Sequence, residues 1–251
     1  RKASGFCIYN DCSVAIAYLR KHWDARVMYI DTDAHHGDGV QWAFYDDPHV
    51  LTISLHETGK YLFPGTGATT ERGEGNGFGY SVNIPLDAFT EDDSFLEIYR
   101  ELIPKLARGF KPDVILTQNG CDAHAYDPLT HLFCSMNIYQ QVPRLAHELA
   151  HTYCDGRWIA VGGGGYDIWR VVPRAWTLLW SEMTDQPIAD PTIPAAWRER
   201  WQAESELPLP AKLFDESLPA IPRREEIAKN NRITLERAML YAPIGPQDQR
   251  R

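Results

Sequence analysis

No apolar run in this 251-residue chain approaches the roughly 20 residues needed to span a bilayer, so a membrane-embedded function is not expected. No basic segment followed by an apolar stretch opens the chain, and no secretory signal is expected. Cysteine is scarce. Cys7, Cys12, Cys121, Cys134 and Cys154 form an odd set with no C-x-x-C pair. That argues against a disulfide framework or a thiolate zinc site and suits a reducing, cytoplasmic setting. Clustered positive charge is also missing. The net charge is −9, and the one basic run, Pro222-Arg223-Arg224, is followed at once by Glu225 and Glu226. Phosphate attraction needs clustered Lys and Arg, so a nucleic-acid partner is not expected. The acidic balance suits a cationic protein substrate and equally suits plain solubility.

Hydrophobic residues make up 44% of the chain and charged residues 24%, enough for one large α/β domain with a sizeable core. Apolar runs at residues 26–30, 50–55, 80–85, 113–116 and 158–161 read as buried strands. Residues 11–22, 91–110, 136–154 and 172–183 carry apolar positions at helical spacing. Pro143 stands as a kink candidate in the third and Pro173 near the first turn of the fourth. Alternation of this kind predicts a mainly parallel sheet inside a three-layer α/β/α fold spanning residues 1–251. In such sheets ligands bind beyond the carboxyl ends of the strands. Seven prolines fall in residues 185–222, which predicts an extended surface wrap with little regular structure. A short helix is expected near residues 233–241.

Three groups of chemically useful residues follow the apolar runs. The first is Asp31-Thr32-Asp33-Ala34-His35-His36-Gly37-Asp38-Gly39. Side chains two apart on an extended chain share a face, so Asp33 and His35 can reach one cation together. Two carboxylates crowded beside imidazoles, with no lysine, repel one another unless a cation joins them. The second group, Gln118-Asn119-Gly120-Cys121-Asp122-Ala123-His124-Ala125-Tyr126-Asp127-Pro128, supplies Asp122 as the natural third ligand. Asp127-Pro128 reads as a structural turn, and His124 is not expected to bind metal. The third is Gly162-Gly163-Gly164-Gly165-Tyr166-Asp167, neither a dinucleotide fingerprint nor a P-loop. Its Tyr166 is open to two readings, a donor to a developing oxyanion or a packed tyrosine in a tight turn. The aromatic loop Tyr61-Leu62-Phe63-Pro64-Gly65-Thr66-Gly67 is open to two readings as well, a pocket wall or a loop anchor. One histidine with two carboxylates is the donor set of a catalytic zinc site, with iron(II) as the competitor. Such a metal polarises a carbonyl and lowers the pKa of its water toward about 7.

Taken in order, Ala3-Ser4-Gly5-Phe6-Cys7-Ile8-Tyr9-Asn10-Asp11, the Asp31–Gly39 group, Phe63-Pro64-Gly65-Thr66-Gly67, Gly120-x-Asp122 and the glycine run ending in Tyr166 resemble the zinc-dependent histone deacetylase family. That fold is related to arginase. The resemblance extends to about residue 240 and is strongest to the family's bacterial acetoin-utilisation branch. It implies zinc on Asp33, His35 and Asp122, and Tyr166 stabilising a tetrahedral intermediate. Phe6, Phe63, Gly5 and Gly164 would line a narrow channel for an acyl-lysine stem. Asp31, Asp38 and Gln118 would orient the groups in front of them. Asp31, Asp33, His35, Ser54 and Leu55 would hold a structural potassium ion, largely through backbone carbonyls.

The implied reaction is removal of acetyl groups from lysine in a protein, for that branch acetyl-coenzyme A synthetase. Acetylated polyamines, other small acetyl amides and a two-manganese arginase-like ureohydrolase are the alternatives. The family's general base belongs to a His-His pair just before the segment matching Ala3–Phe6, and that pair is not in this sequence. The chain therefore reads as the later two-thirds of the family domain, truncated at its N-terminus. By itself it is expected to be slow or inactive, since His36 follows a ligand and is expected to point away.

Overall fold

The computed structural model describes residues 3–243. The apolar runs form β1 (Val27–Asp31), β2 (Val50–Glu57), β3 (Ser81–Leu86), β4 (Val114–Gln118) and β5 (Trp158–Val161). Every pairing is parallel, and the order across the sheet is β3-β2-β1-β4-β5. A parallel strand covered on both faces carries a continuous apolar run rather than an alternating one. β1 and β2 are buried at every position; β1 begins with the apolar run Val27-Met28-Tyr29-Ile30, whereas β2 also buries Thr52, Ser54, His56 and Glu57, and the edge strand β5 is half-buried throughout.

The helices are α1 (Asp11–Trp23), α2 (Asp38–Ala43), α3 (Asp92–Phe110), α4 (Ile138–Tyr153), α5 (Val172–Met183), α6 (Ala195–Trp201) and α7 (Arg224–Met239). They divide into two layers. Cys12, Ile16 and Leu19 of α1 and Val40 of α2 pack with Val27, Tyr29, Val50, Val114 and Leu116 on one face of the sheet. On the other face Met28, Ile30, Leu51, Ile53 and Ile84 join the apolar sides of α3, α4, α5 and α7. The result is the expected α/β/α sandwich. At the start of α1 the Asn10 side chain accepts the Ser13 N–H at 2.9 Å, and Asp24 closes the helix in a left-handed conformation. No helix among the described residues is long and apolar enough to cross a membrane.

Two expectations are corrected, and one helix is new. The 185–222 segment is not wholly extended, because α6 forms directly after Pro194. The last helix is longer than residues 233–241, starting at Arg224. α2, unforeseen, begins on Asp38 immediately after the first polar group.

The sheet order places the site. The chain runs outward from β1 through β2 to β3 and then crosses back to put β4 on the other side of β1. Loops leaving β1 and β4 therefore diverge, and the crevice between them is where an open α/β sheet binds ligands. The register aligns the strand ends, with Asp31 opposite both Ser54 and Gln118, and Gln118 opposite Val161.

Candidate metal centre and active site

Asp33 and His35 leave β1, and Asp122 leaves β4, across that crevice. Their candidate ligand atoms all lie within 4.8 Å of one another. His35 Nδ1 stands 3.0 Å from Asp33 Oδ1 and 2.8 Å from Asp122 Oδ2. Asp122 is fully buried and Asp33 nearly so, while the His35 side chain keeps 22% of its surface open. Backbone amides anchor the carboxylates. Ala34 N–H donates to Asp122 Oδ1 at 2.7 Å, and Gly164 N–H donates to Asp33 Oδ2 at 2.6 Å. Gln118 Nε2 donates to the same Asp33 oxygen at 3.0 Å, and Gln118 Oε1 accepts the Gly120 N–H.

Burial and the charge of Asp33 push the Asp122 carboxyl well above the usual range. Burial raises Asp33 as well, but hydrogen bonds from His35, Asp122 and Gln118 outweigh it and hold this carboxyl low. Burial opposes the charge on His35, yet its bonds to Asp122 and Asp33 lift the imidazole to about 10. The two buried carboxylates thus favour positive charge at the point where they meet His35. Burying paired carboxylates costs several kcal/mol per charge unless a cation offsets it. The donor set of one imidazole and two carboxylates, facing inward with one side exposed, fits a catalytic divalent ion.

Two close approaches support that fit. A Cβ placed on Gly164 would lie 2.2 Å from Asp122 Oδ2, and one on Gly120 would lie 2.2 Å from Asp33 Oδ2. The backbone on both sides is pressed against the carboxylates at a distance only glycine permits.

Tyr166 follows the glycine run, and its ring centroid lies 6.3 Å from that of His35. Burial and the carboxylates of Asp122 and Asp33 push its phenol well above 10, so it remains a hydrogen-bond donor at neutral pH. Ser4 and Cys7 exchange backbone hydrogen bonds around a turn in which Gly5 (φ 56°) and Phe6 (φ 63°) are both left-handed. That turn brings the Phe6 ring to 5.9 Å from Tyr166 and leaves room at Gly5 for the Phe63 ring. Phe6 is 86% exposed and Phe63 56% exposed. Among the described residues these aromatics flank an open mouth rather than a closed channel.

The remaining predicted residues divide. Asp31 accepts the Tyr29 hydroxyl at 2.6 Å and the Asp33 N–H at 3.1 Å, and burial with the charge of Asp33 raises it to about 8. Ser54 Oγ is turned toward His56 Nδ1 at 2.8 Å and accepts the Gly37 N–H, while Leu55 beside it is fully buried. Asp38 opens α2 with its N–H on the His36 carbonyl. His36 faces away from the triad, with Nδ1 on Thr66 Oγ1 at 2.8 Å and Nε2 on Gln41 Oε1 at 3.1 Å. His124 also faces elsewhere, to Asp215.

One functional residue escaped the sequence reading. Asp127 is more than a turn residue, because its Oδ2 accepts the Tyr166 N–H at 2.8 Å while Oδ1 accepts the Leu129 N–H at 2.9 Å. It ties the glycine-rich loop to the loop carrying Asp122. An Asp-Pro pair carries no sequence signal for a partner 39 residues away.

Residues 1–183 match the histone deacetylase domain. The chain belongs to the histone deacetylase family. This histone deacetylase domain is 60% identical to the acetoin utilization protein AcuC of Bacillus subtilis (strain 168), covering 99% of the chain and 64% of that relative. It is 49% identical to AcuC of Staphylococcus aureus (strain MRSA252), over 96% of the chain and 62% of that relative. The chain thus spans less than two thirds of the length of either. A histone deacetylase homologue from Aquifex aeolicus superposes with a TM-score of 0.81 at 34% identity, covering 94% of this chain and 63% of that one. A structure of a histone deacetylase homologue complexed with SAHA gives 0.82, also at 34% identity, with the same coverage.

Proposed function

We propose that this domain is the catalytic part of a zinc-dependent hydrolase that removes acetyl groups from lysine side chains of a protein. The carrying observation is the convergence of Asp33, His35 and Asp122 beside the Tyr166 phenol, at the exposed side of the crevice. Family membership and the AcuC relatives support the reading.

Zinc, with iron(II) as the competitor, would be held by those three side chains. When bound, the ion supplies Lewis acidity to an amide carbonyl and to water. The chain's own residues do the rest. Gln118 and the Gly164 amide fix the Asp33 carboxylate so that it does not rotate as charge develops. Asp127 holds the Tyr166 backbone, and the Tyr166 hydroxyl donates to the carbonyl oxygen as it gains charge. Phe6 and Phe63 offer apolar flanks to the four-carbon stem of an acyl-lysine. Proton transfer needs a group of its own. His36, His56, His124 and His131 are each engaged elsewhere, with Thr66, Ser54, Asp215 and Glu57. The family resemblance assigns that step to a histidine pair that is not among the residues of this sequence, and the reading expects slow turnover by the 251-residue chain itself.

The same reading puts a potassium ion near Asp31, Asp33, His35, Ser54 and Leu55, and a cytoplasmic protein substrate, acetyl-coenzyme A synthetase, in front of the site. Acetylated polyamines and other small acetyl amides are the second reading of the substrate. A two-metal ureohydrolase is disfavoured. Among the described residues one group of three ligands forms, and Asp127, the next carboxylate after Asp122 in that loop, is committed to two amides.

The test is deacetylation of an acetyl-lysine peptide by a zinc-loaded protein that carries this domain together with the histidine pair, beside Tyr166→Phe and Asp122→Asn. The reading expects Tyr166→Phe to keep zinc and lose about 10²–10³-fold in kcat, and Asp122→Asn to lose both zinc and turnover. Equal rates in all three would refute it.

A further inference from the structure

α4 carries a second pair of metal-ligating side chains that the reaction does not use. His147 and His151 are four residues apart and share one helix face. Their Nε2 atoms lie 2.9 Å apart, and their ring centroids 4.8 Å. Each ring is held from outside the helix. His147 stacks on Trp158 at 5.7 Å and 29°, and Trp158 is itself fixed by its indole N–H on Thr117 Oγ1 at 2.9 Å. His151 lies against Gly156, where a Cβ would come within 3.1 Å of the imidazole and where the backbone is left-handed at φ 77°.

Two nitrogens turned toward each other need something between them, either one shared proton or a cation. Metal–imidazole bonds are about 2.0–2.1 Å, so nitrogens 2.9 Å apart subtend an angle of about 90° at a shared ion. That is the cis angle of square-planar and octahedral coordination. A tetrahedral ion would need the nitrogens about 3.4 Å apart. Square-planar or tetragonal nitrogen sites suit copper(II) and nickel(II), and copper(II) heads the affinity order for divalent ions.

We propose that His147 and His151 form a second metal site, a bidentate bis-imidazole chelate on α4 for a copper- or nickel-type divalent ion, with water completing the coordination. It is separate from the Asp33–His35–Asp122 group and does not depend on the reaction assigned to that group.

The experiment is a copper(II) titration of the zinc-loaded protein by calorimetry, with electron paramagnetic resonance of the bound copper. The expected result is one copper per chain with zinc retained, an axial signal, and hyperfine splitting from two imidazole nitrogens. His147→Ala and His151→Gln should each weaken copper binding about tenfold or more, because one imidazole forfeits the chelate. The zinc content should stay unchanged in both variants. His151 is exposed, so its substitution leaves the core intact. If the wild-type protein takes up no copper beyond the zinc site, or both variants bind copper as the wild type does, the pair shares only a proton and the proposal is overturned.

Discussion

Gly164 and Gly120 stand closest to the carboxylates, and neither has space for a methyl group. In Gly164→Ala the new carbon would displace the oxygens of Asp122 and Asp33 together, which lie 2.2 and 2.7 Å from where it would sit. Zinc affinity should fall by about 10–100-fold, the range seen when groups supporting metal ligands are disturbed. Zinc-competition titration with a chelating dye measures it. Asp127 acts on the other partner. Asp127→Asn would put an amide where the Tyr166 N–H now donates, shifting the tyrosine without touching a ligand. Misplacing a catalytic group by about 1 Å costs roughly 10²-fold. The expected outcome is a kcat lowered by up to that factor, with zinc stoichiometry intact. The meeting of Asp33 and His35 was legible in the sequence because a strand end with alternating Asp and His has few other uses, while Asp122, a weak signal in its own glycine-rich loop, was reached only by pairing it with them. Asp127 was not legible, because its role rests on a backbone amide, and any residue other than proline at position 166 would supply one.

The 185–222 segment is fastened by one buried carboxylate. Asp215 accepts from Arg174 at 2.9 Å and from the Met136 N–H at 2.8 Å, and its Oδ2 stands 3.0 Å from His124 Nε2. Burial opposes its charge, but the bond from His124 and the nearby charges of His124 and Arg174 prevail and set the carboxyl well below its usual range. A depressed folded value means the stabilisation is complete above the unfolded pKa of about 3.9 and is lost as pH falls below it. Removing one partner of a buried ion pair costs about 3–5 kcal/mol. Asp215→Asn should therefore lower the melting temperature at pH 7, and by much less at pH 2, in thermal denaturation followed by circular dichroism. All five strands and four of the long helices were legible as periodic apolar runs. α7 was legible only at its end. Its buried stripe is Ile227, Asn231, Leu235 and Ala238, and the asparagine interrupts the pattern while serving the fold. Asn231 accepts the Asp87 N–H and donates to Thr90 and Ser94. α2 was hidden because its first residues double as the polar loop after β1.

Across the whole molecule the sheet order fixes where chemistry can occur, and the pH response reports how tightly that region is closed. His56 is fully buried at the end of β2, with Ser54 on one nitrogen and the Gly67 carbonyl on the other. Burial, and next the neighbouring His36, depress it to about 3. An unfolded histidine protonates near pH 6.5, so between about pH 6.5 and 3 the unfolded chain binds the extra proton. Stability from this group is complete above that window and declines as pH falls through it. The melting temperature should drop across the window, and His56→Gln should flatten the drop while lowering stability at pH 7.

The most direct measurement is anomalous diffraction at the zinc edge from crystals of the zinc-loaded protein. One strong peak is predicted between Asp33, His35 and Asp122, at about 2.0–2.2 Å from an oxygen of each carboxylate and from His35 Nδ1. A zinc-loaded crystal with no peak there, or with Asp122 turned away from the ion, would contradict the account.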